Sequence, residues 1–265
     1  MAHSILLERK GALATLTLNR PPVHNAFDDQ LIAELSASLE SLAADADVRA
    51  LIVTGAGATF SAGADLNWMR RMAQAGAEEN RDDALRLAKL LRTLQFFPKP
   101  TLARINGSAY GGGVGLIACC DIAIGVESAK FALSEVKLGL VPATIAPYVV
   151  QAIGARQARR LFVSAEVFDA AEAARIGLLH QCVAPDRLDE AVERQWHFLA
   201  KGGPIAQHEA KRLALRTAGM TAESAERIDA ENAELIARLR VSAEGQAGLS
   251  AFLDKRPAAW VDDDR

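Results

Sequence analysis

Three short apolar runs constrain the fold most: RALIVTG (49–55), PTLARING (100–107) and CDIAIG (120–125), with helix-like sequence between them. A continuous apolar run without alternation is the mark of a strand covered on both faces. Such strands alternating with helices imply an α/β fold whose core contains parallel strands. Ahead of them, SILLER (4–9) and GALATLTLNR (11–20) read as strands. DDQLIAELSASLESLAADADV (28–48) sets Leu31, Leu35, Leu39 and Leu42 on one helical face, with Asp28 or Asp29 near its start. A further helix is predicted through DDALRLAKLLRTLQFF (82–97), whereas the polar second half of the stretch 55–80 is predicted to be mobile. From about residue 190 the pattern becomes wholly helical. The expected division is an α/β core over 1–190 and a helical region over 191–265.

Composition excludes several classes. Half of the 265 residues are hydrophobic and 24% are charged, as in an ordinary globular protein. A net charge of −3 gives no electrostatic case for nucleic acid or an anionic membrane. No apolar stretch reaches the roughly 18 residues of a membrane span. The three cysteines, Cys119, Cys120 and Cys182, suit neither a disulfide framework nor a zinc site. No metal is expected, and the N-terminus shows no export signal, so a cytoplasmic location is expected.

YGGGVGLIACCD (110–121) crowds Gly111, Gly112, Gly113 and Gly115 into an apolar stretch. The spacing fits neither a dinucleotide fingerprint nor a phosphate loop, and no nucleophile elbow surrounds Ser61 or Ser108. What remains is a pair of turns, SAGAD (61–65) and GGGVG (111–115), each after a buried strand and before an apparent helix. A lone glycine cluster is explained by close packing. Two such turns facing each other offer two free N–H groups to one oxygen, the geometry of an oxyanion hole.

The segments LTLNRPPVHNAF (16–27), FSAGADL (60–66), NGSAYGGGVGLIACCDIAIG (106–125), FALSEVKLGLVP (131–142) and AFLDKRPAAW (251–260) resemble the crotonase (enoyl-CoA hydratase/isomerase) superfamily. Within it, FSAGADLNWMRRMA and LSEVKLGLVPATIAPYVV resemble bacterial methylglutaconyl-CoA and isohexenylglutaconyl-CoA hydratases, which act in leucine and acyclic terpene degradation. The resemblance implies a spiral of ββα units with a C-terminal helical trimerisation region, assembled as a homotrimer or a dimer of trimers. It implies an acyl-CoA thioester as substrate and no cofactor beyond that CoA. Carried over residue by residue, the oxyanion donors are the N–H groups of Ala64 and Gly112, and Glu135 is the catalytic carboxylate. Ala62, Ala64 and Leu66 face CoA through backbone. Val23 and His24 lie in a loop used around CoA, Gly111 and Gly115 belong to the glycine motif, and Phe252 and Lys255 contribute CoA contacts, often to a neighbouring subunit.

The residues add their own readings. Glu135 among Phe131, Leu133, Val136 and Leu138 is expected to have a raised pKa. Asp65 is expected to cap a helix, and Asp121 to pair with a nearby donor. Trp68 and Met69, just after an oxyanion turn, suit an acyl-pocket wall. Arg70 and Arg71 are expected to be solvated helix charges. Two departures from the family pattern stand out: Gly115 replaces a second glutamate, and Pro22 replaces a lysine directed at CoA phosphates. The first suggests that Glu135 performs both proton steps of a hydration, with the space at Gly115 taken by the branch or carboxylate of a larger substrate. The alternatives are a Δ3,Δ2-enoyl-CoA isomerase with Glu135 as its single base, and a non-catalytic CoA- or RNA-binding relative.

Overall fold

The computed structural model describes residues 3–261. Strands β1 (Ile5–Lys10) and β2 (Leu13–Leu18) form an antiparallel hairpin, and helix α1 (Asp29–Ala44) returns the chain to β3 (Ala50–Gly55). Asp28 caps α1, its carboxylate accepting the Leu31 N–H at 2.9 Å, and the leucine face at 31, 35, 39 and 42 is buried as its spacing predicts.

From β3 onward the chain repeats one unit. A strand joins a large sheet, the next strand joins a small sheet, and a helix leads to the following unit. The units are β3 with β4 (Thr59–Ser61), β5 (Thr101–Ile105) with β6 (Ser108–Tyr110), and β7 (Ile122–Val126) with β8 (Lys130–Ala132). The helices after them are α2 (Leu66–Gln74) with α3 (Ala77–Gln95), then α4 (Gly112–Ala118), then α5 (Ala146–Ser164). The short strand β9 (Phe168–Asp169), α6 (Ala170–Arg175) and β10 (Gln181–Val183) complete the two sheets. Their orders are β1-β2-β3-β5-β7-β10 and β4-β6-β8-β9. Only β1 and β9 run antiparallel to their neighbours, so the buried-strand runs are parallel as expected. This is the expected spiral of ββα units. Cys119 and Cys120 are buried in its core.

Four helices follow: α7 (Leu188–Leu199), α8 (Pro204–Thr217), α9 (Ala222–Arg240) and α10 (Ala243–Leu253). Helix α9 lies along α3, with the Arg92 guanidinium paired to the buried Asp229. Among the described residues, no helix is long and apolar enough to cross a membrane.

The stretch predicted to be mobile forms α2 and the first turns of α3. Asn80, fully buried, donates from Nδ2 to the carbonyls of Met72 and Ala75, each at 3.0 Å, and so satisfies the open end of α2. Gln246 on α10 donates to Ala73 O at 2.9 Å. These side chains come from later turns and cannot be seen in the local hydropathy of 66–76.

Candidate active site

The small sheet sets the site. Its register aligns Ser61 with Ala109 and Ala109 with Phe131. Ala64 and Gly112 each lie three residues beyond these aligned positions, and Glu135 lies four beyond. Adjacent strands are about 4.8 Å apart, so the three groups leave the carboxyl ends of neighbouring parallel strands in one layer. Ligands of open parallel sheets bind at that edge.

Ala64 follows β4 in an isolated parallel bridge with Phe27. The Phe27 N–H donates to Gly63 O at 2.6 Å and Phe27 O accepts from Asp65 N at 2.8 Å. In a parallel bridge the peptide groups of the intervening residue point away from the partner, so the Ala64 N–H faces outward. Gly112 is the first residue of α4, where N–H groups have no intrahelical partner. Among the described residues, neither N–H meets a protein acceptor. Asp65 caps α2 as predicted, accepting from Asn67 N at 2.8 Å and Trp68 N at 3.2 Å.

Glu135 opens a single helical turn, Glu135–Leu138, directly after β8. The residue is half-buried, but its Oε2 is wholly buried and has no hydrogen-bond partner. Burial pushes the carboxyl up to about 7, opposed only by a backbone N–H. Gly111 makes this approach possible. Its φ of +48° is one that a side chain disfavours, and a Cβ there would lie 3.1 Å from Glu135 Oε1. The acid therefore stands against the residue immediately before one of the two open donors. Such a carboxyl can exchange a proton near neutrality with whatever the donors hold.

The carried-over binding residues fall into distinct groups. Ala64, Leu66, Val23 and His24 are exposed and Ala62 is half-buried, and His24 O accepts the Ala62 N–H at 2.9 Å, so these residues form one accessible strip beside β4. Met69 is half-buried against a small apolar cluster that includes Leu138 and Leu140. Trp68 departs from the pocket-wall expectation. It is 3% exposed, and its indole N–H donates to the buried Asp83 at 3.0 Å, so it anchors α2 to α3 from within the core. Arg70 and Arg71 are exposed, the first bonded to Asn67 and the second paired with Asp29. Asp121 accepts from Thr101 N–H and Lys211 Nζ at 2.8 and 2.9 Å, the structural pairing expected of it.

Gly115 requires a correction. It is buried, and a Cβ there would lie 2.4 Å from Ile145 Cγ2 and 3.0 Å from Ile145 Cβ. The space left by the missing side chain is filled by this chain's own isoleucine, not held open for a substrate. Helix α10 also has a defined place. It crosses the Glu135–Leu138 turn of its own chain, where a Cβ on Gly248 would meet the Leu138 carbonyl. Phe252 and Lys255, at the far end of α10, are both exposed.

Sequence reasoning missed Phe27, Ile145 and Arg20. The Arg20 guanidinium reaches Asp28 at 2.7 Å and Asp65 at 3.2 Å, joining the caps of α1 and α2. The only local signal was their adjacency to recognised segments. Clefts of about 580 Å³ along α8 and about 600 Å³ between the large sheet and α7 do not include Glu135, so converging chemistry marks the site rather than volume.

The enoyl-CoA hydratase/isomerase family pattern matches residues 8–263. The chain belongs to that family. The crotonyl-CoA hydratase of Syntrophomonas wolfei is 32% identical to it over 98% of both chains. The 2,3-dehydroadipyl-CoA hydratase of Escherichia coli is 32% identical over 95% of this chain and 96% of its own. Among solved structures, an enoyl-CoA hydratase from Shewanella pealeana superposes with a TM-score of 0.79 at 42% identity, covering 97% of this chain and 96% of that one. The Shewanella pealeana structure shares its ββα spiral over nearly its whole length.

Proposed function

We propose that this member of the family adds water across the 2,3-double bond of an enoyl-CoA thioester, with no group beyond the substrate's own CoA. The observation that carries the reading is a buried, unpartnered carboxyl at Glu135, poised near pH 7 beside two open backbone donors. In this mechanism the Ala64 and Gly112 N–H groups hold the thioester oxygen and draw electron density from the alkene. Glu135 takes a proton from water as its oxygen bonds to C3. The resulting enolate, held by both donors, collapses as the protonated Glu135 returns the proton to C2. Each oxyanion donor of this kind is worth about 3 kcal/mol at the transition state.

Within that class the substrate is a branched glutaconyl-type thioester. The similarity of residues 60–73 and 133–150 to methylglutaconyl-CoA and isohexenylglutaconyl-CoA hydratases supports it. The E. coli relative, named for a dehydroadipyl thioester, shows that other carboxylate-bearing chains occur among close family members. A panel comparing 3-methylglutaconyl-CoA with crotonyl-CoA, followed by the loss of conjugated-thioester absorbance, tests both levels. Hydration of the glutaconyl substrate with the higher kcat/KM is expected. Equal or better use of crotonyl-CoA overturns the substrate class, and no hydration of either overturns the reaction.

A second reading rests on Gly115. With Ile145 closing that position, Glu135 has no second acid there, an arrangement that suits a Δ3,Δ2-enoyl-CoA isomerase moving one proton between C2 and C4. A 3-enoyl-CoA that gains conjugated absorbance in the same panel, without hydration of a 2-enoyl-CoA, selects it.

The assembly is a homotrimer or a dimer of trimers. Helix α8 buries none of its residues within one chain, and Phe198, Ile205 and Leu213 are 63%, 80% and 55% exposed. Apolar surface of this kind calls for a covering partner. Light scattering at micromolar concentration is expected to give three or six times the chain mass, and a monomer overturns the assignment.

A further inference from the structure

We propose that Phe27 is the positioning residue that fixes the Ala64 and Gly112 donors relative to one another. The proposal rests on the reading of those two N–H groups as the donors to the thioester oxygen. Phe27 is 1% exposed and touches both turns, each in a different way. Its backbone holds the first. The bonds Phe27 N–H to Gly63 O, at 2.6 Å, and Asp65 N–H to Phe27 O, at 2.8 Å, pin the peptides on either side of Ala64. Its ring supports the second. A Cβ on Gly112 would lie 3.3 Å from Phe27 Cε2 and 3.4 Å from Cδ2, and no other group is as close to that point. One residue therefore spaces the end of β4 from the start of α4.

Phe27 is itself held firmly. Arg20 donates to the Ala26 carbonyl and pairs with Asp28 and Asp65, the residues flanking Phe27 and Ala64. Asn25, fully buried, donates from Nδ2 to Ala56 O at 2.9 Å and Thr59 O at 2.7 Å and so ties the same loop to the entry of β4. The backbone that carries the ring cannot shift without breaking these bonds. Two donors sharing one oxygen must both meet it at hydrogen-bond distance, so a shift of tenths of an ångström in their spacing weakens the second bond.

Phe27→Leu retains apolar bulk but removes the ring edge from Gly112. With crotonyl-CoA, or whichever enoyl-CoA the wild type hydrates, kcat is expected to fall at least about tenfold while KM stays within about threefold. The pH–rate midpoint near 7 is expected to stay in place, because the Phe27 ring carries neither charge nor hydrogen-bonding group to act on Glu135. An unchanged kcat overturns the proposal, whether or not the melting temperature falls, since a purely structural core residue would lower stability alone. A raised KM at constant kcat also overturns it, because the residue would then be a binding wall. If Phe27→Leu does not fold, Gly112→Ala presses on the same contact from the other side. It is expected to lower kcat at similar KM, and full turnover in that variant overturns the proposal. A wild-type protein inactive on every 2-enoyl-CoA removes the functional reading itself, whereas an active wild type with an unimpaired Phe27→Leu removes only the role of Phe27.

Discussion

Glu135→Gln is expected to lower turnover on a 2-enoyl-CoA at least about 100-fold, the usual scale of a lost general acid–base group, while the affinity for acyl-CoA stays within about twofold. The amide keeps the shape of the carboxyl but cannot move a proton. The strip of Val23, His24, Ala62 and Leu66 proposed to bind CoA lies on other segments and is expected to be untouched by the change. For the wild type, the proton-accepting form is the carboxylate, so kcat/KM is expected to rise with pH through a midpoint near the Glu135 value of about 7. The variant's residual rate loses that limb. The same substitution leaves a signature in stability. Burial raises the folded-state value above the ordinary 4.5, so the fold prefers the protonated form. Glu135 therefore costs nothing below about pH 4.5, and its cost grows as pH climbs towards 7, reaching about 3 kcal/mol. Glu135→Gln and wild type should melt together at pH 4 and separate by pH 8, with the inactive variant the more stable. A variant that retains more than a third of wild-type turnover removes Glu135 from the chemistry. Coincident melting curves at pH 8 remove its strained burial.

The parts of the site written in local sequence were legible, and the parts made by distant segments were not. Residues 49–55, 100–107 and 120–125 announce buried parallel strands because their apolar residues run together rather than alternating, and the leucine spacing of α1 fixes its inner face. Asp65 is readable as a cap because the capped N–H groups lie two and three residues away. Ala64, Gly112 and Glu135 came from family resemblance, and their alignment follows from a strand register that no single segment encodes. Phe27 was passed over because its work is done through two backbone bonds and a ring edge, none of which hydrophobicity records. Trp68 was misplaced for a similar reason. Its partners Asp83 and Arg240 arrive from α3 and α9, the latter with its guanidinium 5.9 Å from the ring centre. Gly115 misled most, because a missing side chain in sequence says nothing about what fills the gap.

That gap makes the second large effect calculable in direction. Gly115→Glu is expected to destabilise the protein and to abolish activity on every enoyl-CoA alike. Gly115 sits one turn into α4 from Gly112, and Ile145, 2% exposed, already occupies the space beside it. The nearest atoms to a new Cβ include Ile145 Cβ at 3.0 Å, which is anchored to the backbone and cannot swing aside. Overpacking of this sort costs about 1–3 kcal/mol, and a carboxylate buried against isoleucine and leucine adds desolvation. For a chain of this size, each kcal/mol lowers the melting temperature by about 2–4 °C, so the steric part alone corresponds to a fall of about 2–12 °C, to which the buried charge adds. Displacement of α4 carries the Gly112 donor with it, so crotonyl and glutaconyl substrates should suffer equally. Had a substrate carboxylate or branch filled the gap, the new charge would have hindered the glutaconyl thioester and spared crotonyl-CoA. Ile145→Ala in the same chain should recover much of the lost stability, because it removes the methyl groups that clash. Gly115→Gln shares the steric part without the charge. The added carboxylate, raised by burial, costs most at high pH, so the Glu and Gln variants should melt alike at pH 4 and diverge by pH 8. A Gly115→Glu protein that melts within about 2 °C of wild type would show that Ile145 yields to the new side chain, and the close packing assigned to α4 and α5 would be wrong.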